Sequence, residues 1–331
     1  MKNIESCKVK VVILERTVFS PLNVSHIGDA IQLLEKYSEK ERITVTLLPS
    51  FSDYKSLVLK NLEILIQKGF GYAMLEDHQL IGYIAGYPVD SLFGKEKGIF
   101  VPAFGHASAY EERIRIETAL YTYAAEQWVN QHYLTHSVSI FAHDQDLLST
   151  WFDLGFGKRC VDAIRKVQCQ AIIPSEFMFE EITTQNINLI LEIHDAHIHY
   201  YQASPVFMPI SDEDARTDLL AWLRQEDHRM YSIKVQNQVV GYVRYQTRGE
   251  SLFSIHPQIK NITGLYVKPE YRHHGIGSML IHQIEEILSV NQISLVGVDY
   301  ESINPKANHF WSKHFLPYTY SLVRRIDERV L

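Results

Sequence analysis

The sequence predicts an α+β protein made of two tandem copies of one fold, each a mixed, mostly antiparallel sheet flanked by helices. Chemically similar residues recur at a constant offset of 159 positions, which indicates an internal duplication. The pairs are Tyr72 and Tyr231, Gly82 and Gly241, Phe152 and Trp311, Phe156 and Phe315, and Arg165 and Arg324. The length of 331 residues also exceeds what one hydrophobic core normally organises. We therefore expect two domains, at residues 1–170 and 171–331.

The order of elements in the C-terminal copy supports this class. Residues 230–236 and 238–247 alternate apolar and polar side chains around Gln236-Asn237, which predicts a hairpin. After the next strand, apolar residues recur from Ile276 with the period of a helix. The predicted order is β-α-α-β-β-β-α-β-α-β, at 177–183, 186–201, 212–227, 230–236, 238–247, a strand ending near 269, a helix from 276, 293–300, 305–314 and 317–325. Gln168–Ser175 is the expected boundary between the copies.

Composition and charge exclude several classes of protein. Hydrophobic residues make up 46% and charged residues 21%, which is typical of a folded globular chain. A net charge of −7 lacks the basic field that nucleic-acid binding requires. The three cysteines form no CxxC pair, which argues against a disulfide framework or a thiolate zinc site and fits a reducing compartment. With no signal-like or membrane-spanning stretch, we expect a cytoplasmic monomer or homodimer without nucleic-acid or membrane partners.

The strongest local motif is VKPEYRHHGIGS at residues 267–278, where a strand, a glycine-bearing turn and a helix start follow one another. Gly275 and Gly277 let the backbone turn tightly and present successive N–H groups to a ligand. Together with the positive end of the following helix dipole, these N–H groups suit a pyrophosphate. The glycines alone fit a purely structural turn equally well. The preceding strand, Arg272 and the apolar helix favour the phosphate site.

This segment resembles the acyl-CoA loop of the GNAT superfamily of acyl-CoA-dependent N-acetyltransferases, in the pattern Val267-x-Pro-x-x-Arg272-x-x-Gly275-x-Gly277. The segment Asn304-x-x-Ala307-x-x-x-Trp311 is similar to the family's motif beside the pantetheine arm, although Asn304 is by itself typical of a helix cap. The resemblance implies two tandem GNAT folds. It further implies acetyl-CoA as acyl donor, no metal, and direct acetyl transfer in a ternary complex to a primary amine, expected to be a small molecule.

The resemblance also implies site residues. Leu265 would polarise the thioester carbonyl through its backbone N–H, and Val267 would pair with pantetheine. The implied cofactor-binding set is Leu265, Tyr266, Val267, Arg272, His273, His274, Gly275, Ile276, Gly277, Ser278, Asn304, Ala307 and Trp311. The helices predicted at 186–201 and 212–227 correspond to helices that border the acceptor pocket in the family. The resemblance therefore suggests that His197, Tyr200 and Tyr201 line this pocket.

Two departures from the family pattern leave the proton-transfer groups open. Trp311 stands where many members have an acidic tyrosine, so Tyr300, Tyr318 and Tyr320 become candidates for the general acid. Asn261 stands where some members have a glutamate base, so Glu301 and His256 become candidates for the base. For the two base candidates, a solvated surface position is the competing interpretation. The predicted catalytic residues are Leu265, Glu301 and Tyr318.

The N-terminal copy is predicted to be a degenerate GNAT-like domain without a cofactor loop. The residues that follow Val101 contain no Gly-x-Gly turn, and Glu111 and Glu112 at the helix start would repel a pyrophosphate. The cluster His194-Asp195-Ala196-His197-Ile198-His199 lacks an HExxH pattern and is not predicted to bind a metal. A non-catalytic acyl-CoA-binding or sensing protein is the alternative function. A tandem transferase that uses another donor, such as aminoacyl-tRNA, is disfavoured by the missing basic field.

Overall fold

A computed structural model describes residues 17–168, 176–209 and 214–331. The N-terminal half contains strands β1 (Val18–Pro21), β2 (Gly71–Glu76), β3 (Gln79–Ala85), β4 (Tyr87–Val89), β5 (Gly98–Val101), β6 (His106–Ser108), β7 (Thr135–Phe141) and β8 (Gly157–Lys166), and helices α1 (Ile27–Thr44), α2 (Phe51–Lys68), α3 (Arg113–Val129) and α4 (Gln145–Asp153). The C-terminal half contains strands β9 (Phe177–Ile182), β10 (Arg229–Val235), β11 (Gln238–Gln246), β12 (Ile259–Val267), β13 (Leu295–Glu301) and β14 (Leu316–Arg325), and helices α5 (Leu191–Gln202), α6 (Ala215–Leu223), α7 (Ile276–Val290) and α8 (Pro305–His314).

The predicted order of elements in the C-terminal half is confirmed, and local chemistry explains the bounds. Gln236 and Asn237 both have positive φ, 49° and 66°, as a two-residue hairpin turn requires. Helix α5 begins at Leu191 instead of 186, because Asn186 accepts a hydrogen bond from the Thr183 backbone and holds the chain in a turn. Of the predicted boundary, residues 169–175 lie outside the described residues, as do 212 and 213 at the start of the second predicted helix.

The strands form two sheets in which the two halves exchange their last strands. A four-stranded sheet has the order β1-β2-β3-β6, and a ten-stranded sheet has the order β4-β5-β7-β14-β8-β13-β12-β11-β10-β9. Strand β8 of the N-terminal half pairs with β13, and β14 of the C-terminal half pairs with β7. Accordingly, Leu322 of β14 packs in the core of the N-terminal half, and Val161 of β8 packs in the C-terminal core. The division at residue 170 stays a prediction about sequence units, since the sheet is continuous across it.

Strands β12 and β13 create the opening in which the site lies. They pair in parallel from Ile259 opposite Leu295 to Ile262 opposite Val298, and their described pairing ends there. On its other edge, β12 continues to pair with β11 as far as Val267. A register shift between Arg244 and Tyr245 leaves one extra residue on β12, which is a β-bulge. The last part of β12 therefore has a strand partner on one side and open space on the other.

No helix in the described part of the chain combines the length and the apolar character needed to cross a membrane.

Candidate functional site

The glycine loop connects β12 to α7 with the backbone geometry that the motif predicts. Gly275 occupies the N-cap position of α7 at φ 78°, in the left-handed region that disfavours a side chain. The Arg272 Nε donates a hydrogen bond to the Val267 carbonyl oxygen at 2.9 Å, which ties the loop to the end of the strand. The Arg272 guanidinium also lies 5.1 Å from the Tyr200 ring centroid and 5.3 Å from that of Tyr266. The loop is thus held in place by a charged side chain beside the helix start.

A cavity of about 630 Å³ runs along this loop, between the separated ends of β12 and β13. All the predicted cofactor-binding residues line it except His274, whose side chain is exposed outside it. The predicted acceptor residues His197, Tyr200 and Tyr201 line the same cavity, as do Leu265 and Glu301. The structure therefore brings residues from five separate elements into one cavity, although they are distant in sequence.

Helix α8 also lines the cavity. Asn304 caps this helix by accepting from the Ala307 N–H at 3.3 Å, and it also accepts from the Tyr200 hydroxyl at 3.0 Å. A Cβ on Gly277 would lie 3.0 Å from the ring of Phe310, so glycine allows the two helices to approach closely. The left-handed turn at Gly275, the adjoining helix start and the open edge of β12 together fit an extended ligand with a pyrophosphate group.

A buried histidine pair lies at the part of the cavity that is predicted to take the acceptor. The Nδ1 atoms of His194 and His197 lie 3.0 and 2.6 Å from the Tyr242 hydroxyl. Burial lowers the pKa of His194 to about 4 and that of His197 to about 3, so both imidazoles are neutral near neutral pH. His197 also stacks on Tyr266, with 4.9 Å between ring centroids. Across the described ranges no cluster of three ligating side chains could hold a metal ion.

Carboxyl groups gather where the cavity meets strand β8. Glu250, Asp299 and Glu301 line the cavity, and Asp162 lies opposite Asp299 in the β8–β13 register. Burial raises the pKa of all four, that of Asp162 to about 7, and the charge of Glu250 raises the pKa of the two aspartates further. The Glu250 side chain is exposed to water in the cavity. The protein around it nevertheless disfavours the charged form and so raises its pKa. Mutual repulsion and burial thus favour shared protons here.

Glu301, the base candidate from the sequence, has two neighbours on β8. The Arg159 Nε lies 3.3 Å from Glu301 Oε2, and the carboxylate also interacts with the Cys160 thiol. Burial raises the pKa of Glu301, and the positive charge of Arg159 opposes that shift. The second base candidate, His256, does not line this cavity and instead packs beside Tyr54, with 6.2 Å between ring centroids.

The predicted catalytic role of Tyr318 is not supported by its position. Tyr318 is 2% exposed and packs in the core of the N-terminal half, because β14 crosses over to pair with β7. Of the three tyrosines considered from the sequence, Tyr300 is the one that lines the cavity. It stacks against Trp311 with 6.5 Å between ring centroids, and burial raises its pKa to about 12.

Sequence reasoning missed Glu250, Asp299 and Asp162. Asp299 and Asp162 each stand within a short run of otherwise apolar residues, LVGVDY and CVDAI, and a lone carboxyl within such a run is a usable signal. Glu250 lies in a loop after β11 and has no such signal. Asn261, which occupies the family's glutamate position, is 2% exposed and donates to the Thr247 and Ser254 carbonyl oxygens at 2.9 and 3.3 Å. Its role is therefore structural.

The shifted pKa of Asp162 predicts how stability depends on pH. The folded state holds this proton more tightly than the unfolded chain, so the contribution favours folding at low pH and is lost as pH rises from 3.8 through about 7. Asp162→Asn should therefore gain stability relative to the wild type over that range, by up to about 4 kcal/mol at pH 8. Urea unfolding of the wild type and of Asp162→Asn at pH 4 and pH 8 measures this difference in the free energy of unfolding. The exposed Asp153→Asn is the control. A pH-independent difference between Asp162→Asn and the wild type would contradict the shift.

The corresponding region of the N-terminal half differs in its charges. The chain after β6 forms a turn at Tyr110–Glu112, and helix α3 starts without a side-chain cap. The Arg113 Nε donates to Asp144 Oδ2 at 2.9 Å, and Lys40 lies 3.6 Å from the Tyr110 ring centroid. Both cations thus already have partners in this half. That the N-terminal half binds no acetyl-CoA stays a prediction.

Comparison with known proteins identifies the fold of the chain and a family match for part of its C-terminal half. Residues 191–315 match the acetyltransferase (GNAT) family, and no curated protein matches the chain. A GCN5-related N-acetyltransferase from Sphaerobacter thermophilus is 10% identical at a TM-score of 0.57, covering 93% of this chain and 95% of that one. A glucosamine N-acetyltransferase region in a fungal multi-domain beta-N-acetylglucosaminidase is 12% identical at a TM-score of 0.55, covering 94% of this chain and 38% of that one. The glycine loop lies inside the residues that match the family, and the likeness to these structures over nearly the whole chain shows a fold of two tandem domains of the GNAT type.

Proposed function

We propose that this chain is an N-acetyltransferase that transfers an acetyl group from acetyl-CoA to the primary amine of a small molecule, in a ternary complex. The observation that carries the proposal is that one cavity joins the glycine loop to a set of carboxyl groups with raised pKa values. A loop for an anionic donor and groups that accept a proton from an amine are the two requirements of this reaction.

The donor would be held by the loop and by helix α8. The backbone N–H groups around Gly275 and Gly277 would meet the pyrophosphate, and the open edge of β12 from Leu265 to Val267 would accept the pantetheine arm. Acetyl-CoA supplies an activated acetyl carbon, which bonds to the amine nitrogen as CoA leaves as a thiol and the amine loses a proton. Leu265 would orient the carbonyl through its backbone N–H, as the family resemblance implies.

The proton from the amine would pass to Glu250. Glu301 is held beside Arg159, and its charge together with burial raises the pKa of Glu250, so the two carboxyls differ in their proton affinity. Glu250 borders the cavity from the acceptor side and remains accessible to water, which allows the proton to leave. Tyr300, which lines the cavity and stacks against Trp311, would serve the departing thiolate.

The alternative is a protein that binds acyl-CoA without turnover. Two residues favour this alternative. Trp311 lacks an acidic hydroxyl, and Asn261 uses its side-chain amide to hold two backbone carbonyl oxygens instead of facing a substrate. Two measurements separate the functions: calorimetric titration with acetyl-CoA, and thiol release from acetyl-CoA with a panel of amines. We expect one binding site per chain and thiol release that depends on the amine. Binding without release for every amine would favour the sensor, and no binding would exclude both.

A further inference from the structure

The cavity of about 630 Å³ along the glycine loop would hold the donor and is named the donor cavity. A second cavity adjoins it and has a different lining. It has a volume of about 240 Å³ and lies between the N-terminal half and the loop that follows β11. Cys160 and Glu250 line both cavities, so the two meet at these side chains. Strand exchange produces this junction, because it places β8 beside β13. The second cavity is therefore reached directly from the point where the acetyl group would be transferred.

The far wall of the second cavity is made of aromatic rings, most of them from the N-terminal half. The rings belong to Tyr87, Phe93, Phe100, Phe104 and Phe253. Phe93 is 45% exposed, whereas Phe104 and Phe253 are 5% and 4% exposed. An apolar body entering here would cover rings that water now contacts, which is favourable.

The near wall, at the junction, is acidic. Asp162 and Glu250 line the second cavity, and Asp299 and Glu301 face the donor cavity beside them. Arg159 is the cation that the structure pairs with Glu301, and its guanidinium also lies 4.1 Å from the Phe93 ring centroid. The positive charge of Arg244 opposes the rise in the pKa of Asp299.

One carboxyl at the junction has an unused acceptor. The Asp299 Oδ1 atom is buried and has no hydrogen-bond partner within the described residues. An isolated buried acceptor costs free energy unless a donor reaches it. A positively charged ligand group at the junction would supply both the donor and the missing charge.

We propose that the acceptor is a primary amine on an apolar, ring-bearing body, with its ammonium group at the carboxyl junction and its body in the second cavity. This inference rests on the proposed transferase function and names the substrate class of the same site. The N-terminal half then contributes the wall that selects the acceptor, while the C-terminal half holds the donor. Long polycationic acceptors are disfavoured, since the wall beyond the junction offers rings and few further charges.

The first test compares three probes by ligand-observed NMR on the full chain saturated with CoA. 2-Phenylethylamine carries both features, 2-phenylethanol lacks the charge, and ethylamine lacks the ring. We expect 2-phenylethylamine to bind at least about tenfold more tightly than either of the others. Binding of either comparison probe within about threefold, or no binding of 2-phenylethylamine up to about 10 mM, would overturn the inference.

The second test changes the ring wall. Phe93→Ala should raise the KM for 2-phenylethylamine about tenfold, with the KM for acetyl-CoA unchanged, because Phe93 lines the second cavity and not the donor cavity. Phe152→Ala is the matched control, since Phe152 is 46% exposed on the same half and lies outside both cavities. Equal effects of the two substitutions on the acceptor KM would contradict the assignment.

A wrong substrate class and a wrong transferase function give different results. If ethylamine or a polyamine is acetylated while 2-phenylethylamine neither binds nor reacts, the transferase function stands and the substrate class is wrong. If 2-phenylethylamine binds to the CoA-saturated chain but no amine releases thiol from acetyl-CoA, the cavity assignment stands and the transferase function is wrong.

Discussion

Gly275→Val is expected to abolish measurable acetyl-CoA binding while the chain remains folded. The glycine caps α7 at φ 78°, where a β-branched side chain is strained, and it lines the donor cavity. Relief of that strain would turn the loop away from the conformation that presents its N–H groups to the pyrophosphate. The loss of several such hydrogen bonds from a charged group, each worth about 1.5–3 kcal/mol, exceeds what the rest of the cavity could compensate.

The matched control is Gly69→Val. Gly69 has nearly the same torsion, φ 77°, at the C-cap of α2, and a Cβ there would meet no atom within 4 Å. Both substitutions should therefore lower the unfolding temperature by a similar amount, and only Gly275→Val should lose the calorimetric signal of acetyl-CoA. Gly277 is less suited to this test, because a side chain there would also collide with Phe310. If Gly275→Val binds acetyl-CoA with the wild-type Kd, the loop is not the donor site.

Glu250→Gln is expected to lower kcat by about 10²- to 10³-fold on a proven substrate, since it removes the proposed acceptor of the amine proton. Acetyl-CoA binding should persist, because Glu250 lies at the acceptor side of the cavity. Glu63→Gln, an exposed change on α2, controls for the loss of one negative charge. A Glu250→Gln variant with the kcat of the control would exclude Glu250 as the base.

Glu301→Gln should have a different signature, which a pH profile reveals. In the wild type, kcat at saturating substrates should rise with pH as Glu250 loses its proton, at a pKa raised by burial and by the charge of Glu301. Without that neighbouring charge the pKa of Glu250 falls, so the rise of kcat should move to lower pH. An unchanged profile in Glu301→Gln would show that the two carboxyls do not act on one another during turnover.

Several features could be predicted from the sequence because they depend on local physics. The hairpin at Gln236-Asn237 follows from the positive φ values that this turn needs, and the helix after Gly277 follows from apolar periodicity. The donor loop was predictable for the same reason, since its strand, turn and helix are contiguous within about twelve residues. The 159-residue repeat further predicts that both halves share one fold, and the similarity to solved structures over nearly the whole chain confirms it.

The positions of the other residues around the two cavities depend on which distant strands pair. Only the tertiary structure decided that pairing. Apolar alternation specifies that β8 and β14 are strands, but either could have closed the sheet of its own half, because both run antiparallel to their neighbours. Their exchange moves Tyr318 into the N-terminal core and brings Cys160 and Asp162 to the junction of the two cavities. The carboxyl cluster unites β8, β13 and a loop, so its charges become close only when those elements pack. For that reason the sequence by itself determined the loop proposed to bind the donor, while only the tertiary pairing decided which residues line the proposed acceptor side.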